Sequence, residues 1–406
     1  METKGSNQSL VKKTNQNLII REIRQNKRLS RSDLAKKLQI SNPSVSKHVD
    51  DLLSKGLLIE TGSLVTDVGR RPIMLEFNGL RGCVAVVDLS SNDARICVAD
   101  LLGNKLEYAR VEGGRHLGLD NFDRIILTLR DMLNSLGDRC GGLVGICIGA
   151  PAAVEPGTGR LLWSSRIDDY QNFDLCEYFT RSLHAPVIIK NDINLAVVGE
   201  RIFGAGGGHD SIMYLSIDAG VGLSGIINGK LYEGVHGLAC DLGVVITDID
   251  GVLNLGDDVS EYMPYCFERQ FSVYGLVERV RDRLEQGRES VLREWVPDPA
   301  ELTFDDVVRA YGMSDPMTSA VVRNFAKCIA LLCRNLSSLF DVELILLGGM
   351  IAHLGKPLLT EIQDFYAVFP GYSKAELKIA KLFDSAVVFG GIDTATQYAI
   401  DLIIDE

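Results

Sequence analysis

Residues 29–56 read LSRSDLAKKLQISNPSVSKHVDDLLSKG, two short helical patterns separated by a turn. Ser30 stands three residues before Asp33, a capping-box start for a helix that contains Leu34 and Leu38. Gln39-Ile40-Ser41 is expected to turn the chain. Ser41 can then cap a second helix, whose first turn tolerates Pro43 because that amide has no helical partner. Val45, Val49, Leu52 and Leu53 predict its buried face, and Gly56 its stop. Upstream, Leu18, Ile19 and Ile23 mark a helix ending near Asn26. Downstream, Leu57–Thr61, a tip around Gly62–Gly69 and Arg71–Phe77 read as strand, turn and strand. The sum is a winged helix-turn-helix over residues 1–78.

The outward face of the second helix carries Asn42, Ser44, Ser46, Lys47 and Asp50. Small hydroxyl and amide groups at Ser41, Asn42, Ser44 and Ser46 enter a major groove without clashing, and Lys47 suits a phosphate or a guanine edge. Arg70 and Arg71, at the base of the wing, are expected to reach the backbone or minor groove. Charge divides the chain the same way: residues 1–78 carry a formal +6 and the remainder −18, within a total of −12. A basic arm on an acidic body predicts that only the first part meets a polyanion, double-stranded DNA. A three-helix module that binds protein is the alternative reading of the same pattern.

From Gly82 the periodicity changes. CVAVVDLSS, ARICVADLLGN and a long helix through Asn121–Leu136 read as strand, strand, helix, followed by buried strands LVGICIGAP and PVIIKND. A second set begins with IMYLSIDAGVGLSGIINGKLYEG, continues with helices around 273–286, 303–310 and 317–339, and reaches a strand LILLGGM. Two successive α/β units with mixed sheets fit this order. Gly391–Ile404 reads as a closing helix. No run of about 18 uninterrupted apolar residues is present, and no apolar stretch follows the charged N-terminus, so neither a membrane span nor a secretory leader is expected. The nine cysteines form no CxxC pair and most lie in apolar segments, which predicts reduced core thiols in a cytoplasmic protein.

The arrangement resembles the ROK family, named for repressors, open reading frames and kinases, over residues 14–395. GRRP at 69–72, NDIN at 191–194, AGVGLSGIINGKLYEG at 219–234 and LLGGMI at 346–351 carry the likeness. Within the family it resembles the repressors of the xylose or N-acetylglucosamine type. The resemblance implies an α/β chain: the winged helix-turn-helix, then a two-lobed actin-like ATPase or sugar-kinase (ribonuclease H-like) domain. Its first lobe would take residues 82–198 and 391–406, its second 199–390.

By the same resemblance Asp192 occupies the position of the kinase base, worth about 10²–10⁴-fold in rate where it functions, and Asn191 would bind sugar hydroxyls. An Asn-Asp pair that caps the next helix is the structural alternative, and both roles can coexist. The family's first phosphate loop, D-x-G-G-T, here reads Asp88-Leu89-Ser90-Ser91-Asn92, followed by Asp93. Side chains replace both glycines that let amides approach a phosphate. The second, G-T-G-x-G-G-G, reads Asp218-Ala219-Gly220-Val221-Gly222-Leu223-Ser224. Unpaired carboxylates at Asp93 and Asp218, about 4–6 Å from a triphosphate, would repel it by a few kcal/mol. The zinc pattern of the family is also broken. Val244 stands where a His ligand belongs and the cysteine cluster is missing, leaving Cys240, Cys266 and His236 as the remaining candidates for a metal. Asp241 offers a carboxylate where the family binds sugar with Glu.

These readings predict a repressor of carbohydrate genes with a pseudo-kinase domain, no cofactor and no metal, and a vestigial base in place of a catalytic residue. Its partners would be a palindromic operator, a sugar or sugar phosphate held by Asn191, Asp192 and Asp241, and a second copy in a homodimer or homotetramer. Two alternatives remain: a hexose kinase with a DNA-binding arm, and a ligand-independent regulator governed by a protein partner.

Overall fold

The computed structural model describes residues 8–62, 73–255, 261 and 263–406. Arg70, Arg71, the GRRP motif and most of the expected wing tip lie outside the described residues. The chain forms two compact units: one runs to Ala152 and adds Gly159–Lys190 and Gly391–Glu406; the other takes Ala153–Thr158 and Asn191–Gly390.

The first unit opens with α1 (Gln8–Asn26), which buries Gln16, Ile19, Ile20 and Ile23 at helical spacing. Leu18, expected in that stripe, is 37% exposed because it projects from the opposite side of this line. A short β1 (Leu29–Ser30) leads into α2 (Arg31–Leu38). The capping box forms as expected: Ser30 Oγ accepts the Asp33 N–H at 3.2 Å, and Asp33 accepts the Ser30 N–H at 3.0 Å. Gln39, in the left-handed region, ends the helix and turns the chain. Ser41 then takes the N-cap position of α3 (Asn42–Ser54), but its side chain makes no cap hydrogen bond. Helix α3 buries Val45, His48, Val49 and Leu52; Leu53 is only half-buried, and His48 takes the place assigned to it. β2 (Leu58–Thr61) and β3 (Met74–Phe77) complete an antiparallel sheet in the order β1-β3-β2. β2 begins one residue after the expected Leu57, and the expected start of the second strand at Arg71 lies outside the described residues.

The same unit continues with β4 (Cys83–Asp88), β5 (Asp93–Asp100), β6 (Lys105–Glu112), α4 (Leu119–Leu136), β7 (Leu143–Ala150), β9 (Leu161–Ser164), α5 (Leu175–Leu183) and, up to Lys190, β10 (Val187–Asn191), while β8 (Ala152–Val154) has only Ala152 in it. Its five-stranded sheet has the order β10-β7-β4-β5-β6. β4 and β5 pair antiparallel, as do β5 and β6, whereas β4 and β7 run parallel. Strand β4 is buried throughout, as a central strand covered on both faces must be.

The second unit contains α6 (Asp192–Phe203), β11 (Ile212–Ile217), β12 (Val221–Ile227), β13 (Lys230–Leu231), α7 (Ile249–Leu253), α8 (Phe267–Phe271) and α9 (Val273–Glu285). It goes on through α10 (Leu292–Trp295), α11 (Phe304–Gly312), α12 (Pro316–Phe340), β14 (Leu344–Gly348), α13 (Gly355–Val368), β15 (Glu376–Ile379) and the start of α14 (Ala386–Asp405). Its sheet, β13-β12-β11-β14-β15, repeats the plan of the first: an antiparallel meander on one side, parallel crossovers on the other. Two copies of this strand plan are the ribonuclease H-like duplication. The core joins Met213, Leu215 and Ile217 of β11 to Phe325 and Ile329 of α12 and Leu347 of β14.

The units part at Lys190/Asn191, eight residues before the expected lobe boundary at 198/199. Helix α6 goes with the second unit because it packs on β12: Ser224 Oγ donates to Asn194 Oδ1 at 2.6 Å, and a Cβ at Gly222 would stand 2.7 Å from Ile193 Cγ1. Helix α14 begins five residues before the expected Gly391. Among the described residues, Phe383–Asp405 is one helix long and apolar enough to cross a membrane, and 61% of its most apolar window is buried inside the protein. A core helix has that composition.

Candidate functional site

Two regions bear on function, and each lies within one unit. The first is the N-terminal half of α3. Of the residues expected to face DNA, Ser41, Asn42 and Lys47 are exposed, and Ser44 and Ser46 are half-buried. Asp50 is exposed too, but its carboxylate is engaged by Arg31 at 2.9 Å, which also reaches Glu60 at 2.9 Å. This bridge ties α2, α3 and β2 together. The amide end of α3 adds a partial positive charge beside Asn42. Beneath the surface, His48 lies 3.5 Å from Asn15 Nδ2, and burial, then the charges of Lys12 and Lys47, lower its pKa.

The second region begins at the start of α6. Asn191 caps that helix, its Oδ1 accepting the Asn194 N–H at 3.0 Å. Asp192 is buried and accepts the Ile193 N–H at 2.9 Å. The capping role foreseen as an alternative is therefore filled, and it leaves a sugar role open. In the same unit Asp241 is exposed beside the 3₁₀ turn Leu242–Val244, without a side-chain cap bond.

The second glycine-rich loop differs from expectation. Asp218 is not unpaired: it accepts the Ser216 hydroxyl at 2.7 Å and the Met350 N–H at 2.7 Å. Gly220 and Gly222 are kept small by close neighbours, Glu268 and Ile193. Glu268, which the sequence did not single out, accepts the Val221 N–H at 3.2 Å. That contact spans 47 residues and has no local signature.

The first loop belongs to the first unit. Asp88 is fully buried, salt-bridged to Arg95 at 2.9 Å, and accepts the Ser90 N–H at 2.9 Å. Ser91 Oγ donates to the Asp93 carbonyl at 2.7 Å. Arg166 donates to the carbonyls of Leu89, Ser90 and Ser91 at 3.1, 2.8 and 2.9 Å, and to those of Gly114 and Arg115 at 3.1 and 3.2 Å. A loop that turns carbonyls onto a guanidinium, with its aspartate already paired to arginine, is shaped for a cation of the protein's own. At the expected zinc position Val244 has no side-chain donor, burial pushes the Cys240 thiol up to about 11, and no cluster of three or more ligating side chains occurs among the described residues.

The sequence matches the ROK family over residues 84–397 and the winged helix-turn-helix DNA-binding family over residues 13–59. It is 26% identical over 396 residues to a xylose repressor from Caldicellulosiruptor bescii, covering 95% of this chain and 96% of that one. A glucokinase from Halalkalibacterium halodurans is 30% identical over 254 residues, 61% of this chain and 75% of that one. Among solved structures, a ROK family transcriptional regulator homologous to the E. coli MLC protein superposes with a TM-score of 0.82 at 21% identity, covering 97% and 98% of the two chains, a likeness of fold.

Proposed function

The chain belongs to the ROK family, and we propose that it is a sequence-specific DNA-binding repressor of sugar uptake or metabolism genes whose ROK domain senses a carbohydrate instead of phosphorylating one. The observation that carries this reading is the accessible face of α3, ahead of a ROK body, in a chain that matches a xylose repressor over 95% of its length. Ser41, Asn42, Ser44, Ser46 and Lys47 read the operator, with Arg70 and Arg71 at its edge. Asn191, Asp192 and Asp241 hold a sugar or sugar phosphate. A two-fold dimer or tetramer places two reading heads on palindromic half-sites about 34–36 Å apart or a multiple of that distance. Such a repressor works where the chromosome is, in the cytoplasm.

Sugar shifts DNA affinity only through unequal affinity for two arrangements of the protein. The test is fluorescence anisotropy of the full chain on palindromic promoter DNA at low salt, with and without sugars. Saturable binding that a sugar changes is the expected result; indifference to all such DNA removes the reading.

A second reading, a hexose kinase with a DNA-binding arm, draws on the retained Asp192 and the glucokinase relative. The arginine-filled first loop and the engaged Asp218 oppose it. A coupled ADP-release assay should show background turnover only. Turnover abolished by Asp192→Asn would reverse the choice.

A further inference from the structure

Helices α8 and α9 meet at a corner that holds a cavity of about 210 Å³, lined by Arg269, Gln270, Tyr274, Gly275, Glu278 and Arg279. Asn191, Asp192 and Asp241 do not line it, and nothing about it depends on sugar sensing. The corner is tight: a Cβ on Gly275 would stand 2.7 Å from the Gln270 carbonyl and 3.0 Å from that of Arg269. Glycine in the first turn of α9 thus lets the two helices pass closely, and brings Arg269 of one and Arg279 of the other to the same cavity. Two amides at this end of α9 are already used: Val273 N–H donates to the Asp218 carbonyl at 2.8 Å, and Gly275 N–H to Ser272 Oγ at 3.3 Å. The positive charge of the cavity therefore comes from side chains.

Neither guanidinium has an ion pair or a hydrogen bond among the described residues. Arg269 lies over the Tyr274 ring, 5.7 Å from its centroid, and Arg279 over the Phe271 ring at 5.0 Å. A ring face steadies a cation and leaves its N–H donors unused. Arg279 is half-buried, and that burial lowers its pKa, with Cys328 pulling the other way. The carboxylate of the lining, Glu278, is engaged by Arg281 of the same helix. Gln270 adds a side-chain amide that makes no hydrogen bond among the described residues. A cation withdrawn from water without a counterion is costly. Two such cations on one cavity make a place where an anion relieves that cost.

We propose that the cavity between α8 and α9 binds a phosphate dianion, as inorganic phosphate or a phosphate monoester, between the guanidiniums of Arg269 and Arg279. The planar fork of a guanidinium matches a pair of phosphate oxygens. Two positive charges balance the dianion that a phosphate monoester approaches near neutrality, whereas a single carboxylate leaves one of them unmatched. Gln270 supplies a further donor for the remaining oxygens.

The test is calorimetry on the full chain with inorganic phosphate, methyl phosphate and acetate, in a buffer free of phosphate. Inorganic phosphate or methyl phosphate should bind saturably, and acetate should not. Arg279→Gln should weaken that binding at least about tenfold, the effect of losing a charge-assisted hydrogen bond. Arg279→Lys keeps the charge, loses the fork and should weaken it less. Arg309, which lies over the Trp295 ring at 3.8 Å outside the cavity, is the control, and Arg309→Gln should bind as the wild type does. Tighter binding of methyl phosphate marks an ester as the ligand, tighter binding of inorganic phosphate the free ion, and either order supports the site. Absence of saturable binding by both anions overturns the inference. So does an affinity unaltered in Arg269→Gln and Arg279→Gln, both folded by circular dichroism, or lowered equally in Arg309→Gln. Acetate bound as tightly as phosphate overturns it as well.

Discussion

Lys55, which closes α3, donates its ammonium to the carbonyl of Ile404 at 2.9 Å and to that of Ile403 at 3.0 Å. The last turn of α14 is thus capped by the end of the helix proposed to read DNA. Around this contact, Asn17 of α1 donates to Asp401 at 2.9 Å and Lys13 pairs with Asp405 at 2.6 Å. A cation over the final carbonyls of a helix satisfies orphan acceptors and meets the negative end of the helix dipole. Lys55→Met should cost about 1.5–3 kcal/mol, the range for hydrogen bonds to charged groups. Hydrogen exchange of α1–α3 would show faster opening. Unaltered exchange would mean the cap holds nothing in place.

Phosphate contacts and base contacts separate by salt. Lys47→Ala should weaken operator binding and flatten the dependence of log K on log salt by about 0.9, the value of one lost phosphate contact. Ser44→Ala and Asn42→Ala should instead change sequence preference more than affinity for unrelated DNA. Anisotropy titrations across salt on operator and scrambled duplexes check both, and equal slopes for Lys47→Ala and wild type would displace the interface.

His48 makes the stability of the DNA-binding head depend on pH. Burial first, then Lys12 and Lys47, hold its imidazole below the ordinary 6.5, with Asp51 pulling weakly the other way. The unfolded chain therefore binds the proton more readily than the folded one. The contribution is fully present above 6.5 and is lost as pH falls from there towards the depressed folded value. The urea midpoint should fall between about pH 7.5 and about pH 5.5, and His48→Gln should flatten that fall. The carboxylates Asp33 and Asp51 are held low by their hydrogen bonds and titrate below this window. A variant with the wild-type slope would assign the effect elsewhere.

Helices α6 and α14 meet backbone to backbone. A Cβ at Gly390 would collide with the Leu195 carbonyl, and one at Gly199 with the Ala386 carbonyl. Because neither obstacle is a flexible side chain, Gly390→Ala should destabilise by about 2–3 kcal/mol or more, as overpacking against a fixed neighbour does. Chemical denaturation measures it; a cost below about 0.5 kcal/mol, the range of surface changes, would show that the helices can part.

What could be read from the sequence was local. The Ser30–Asp33 capping box spans three residues and forms as expected. The repeated strand patterns announced the two α/β units because buried strands are apolar runs. β6 escaped notice since Lys105–Glu112 mixes exposed charged and half-buried residues and lacks a clean alternation. The candidate site was only partly readable for a different reason. Its altered positions stood out as missing glycines, but the groups that complete them come from far away: Arg166 lies 76 residues from Ser90, and Met350 lies 132 from Asp218. Charge repulsion was the expected consequence at Asp218, whereas the fold satisfies that carboxylate with two donors. Leu18 and Leu53 were misplaced because three or four apolar residues define a stripe too loosely to fix its centre.

Helix α14 passes from one compact unit to the other at Gly390–Gly391 without leaving its helical path. Both glycines lie flush against what they touch: a Cβ on Gly390 would run into the Leu195 carbonyl, and one on Gly391 would stand 2.5 Å from Val86 Cγ1. Where this shaft changes unit it is therefore seated by the lack of side chains, and any larger residue there would have to lift it off its bed.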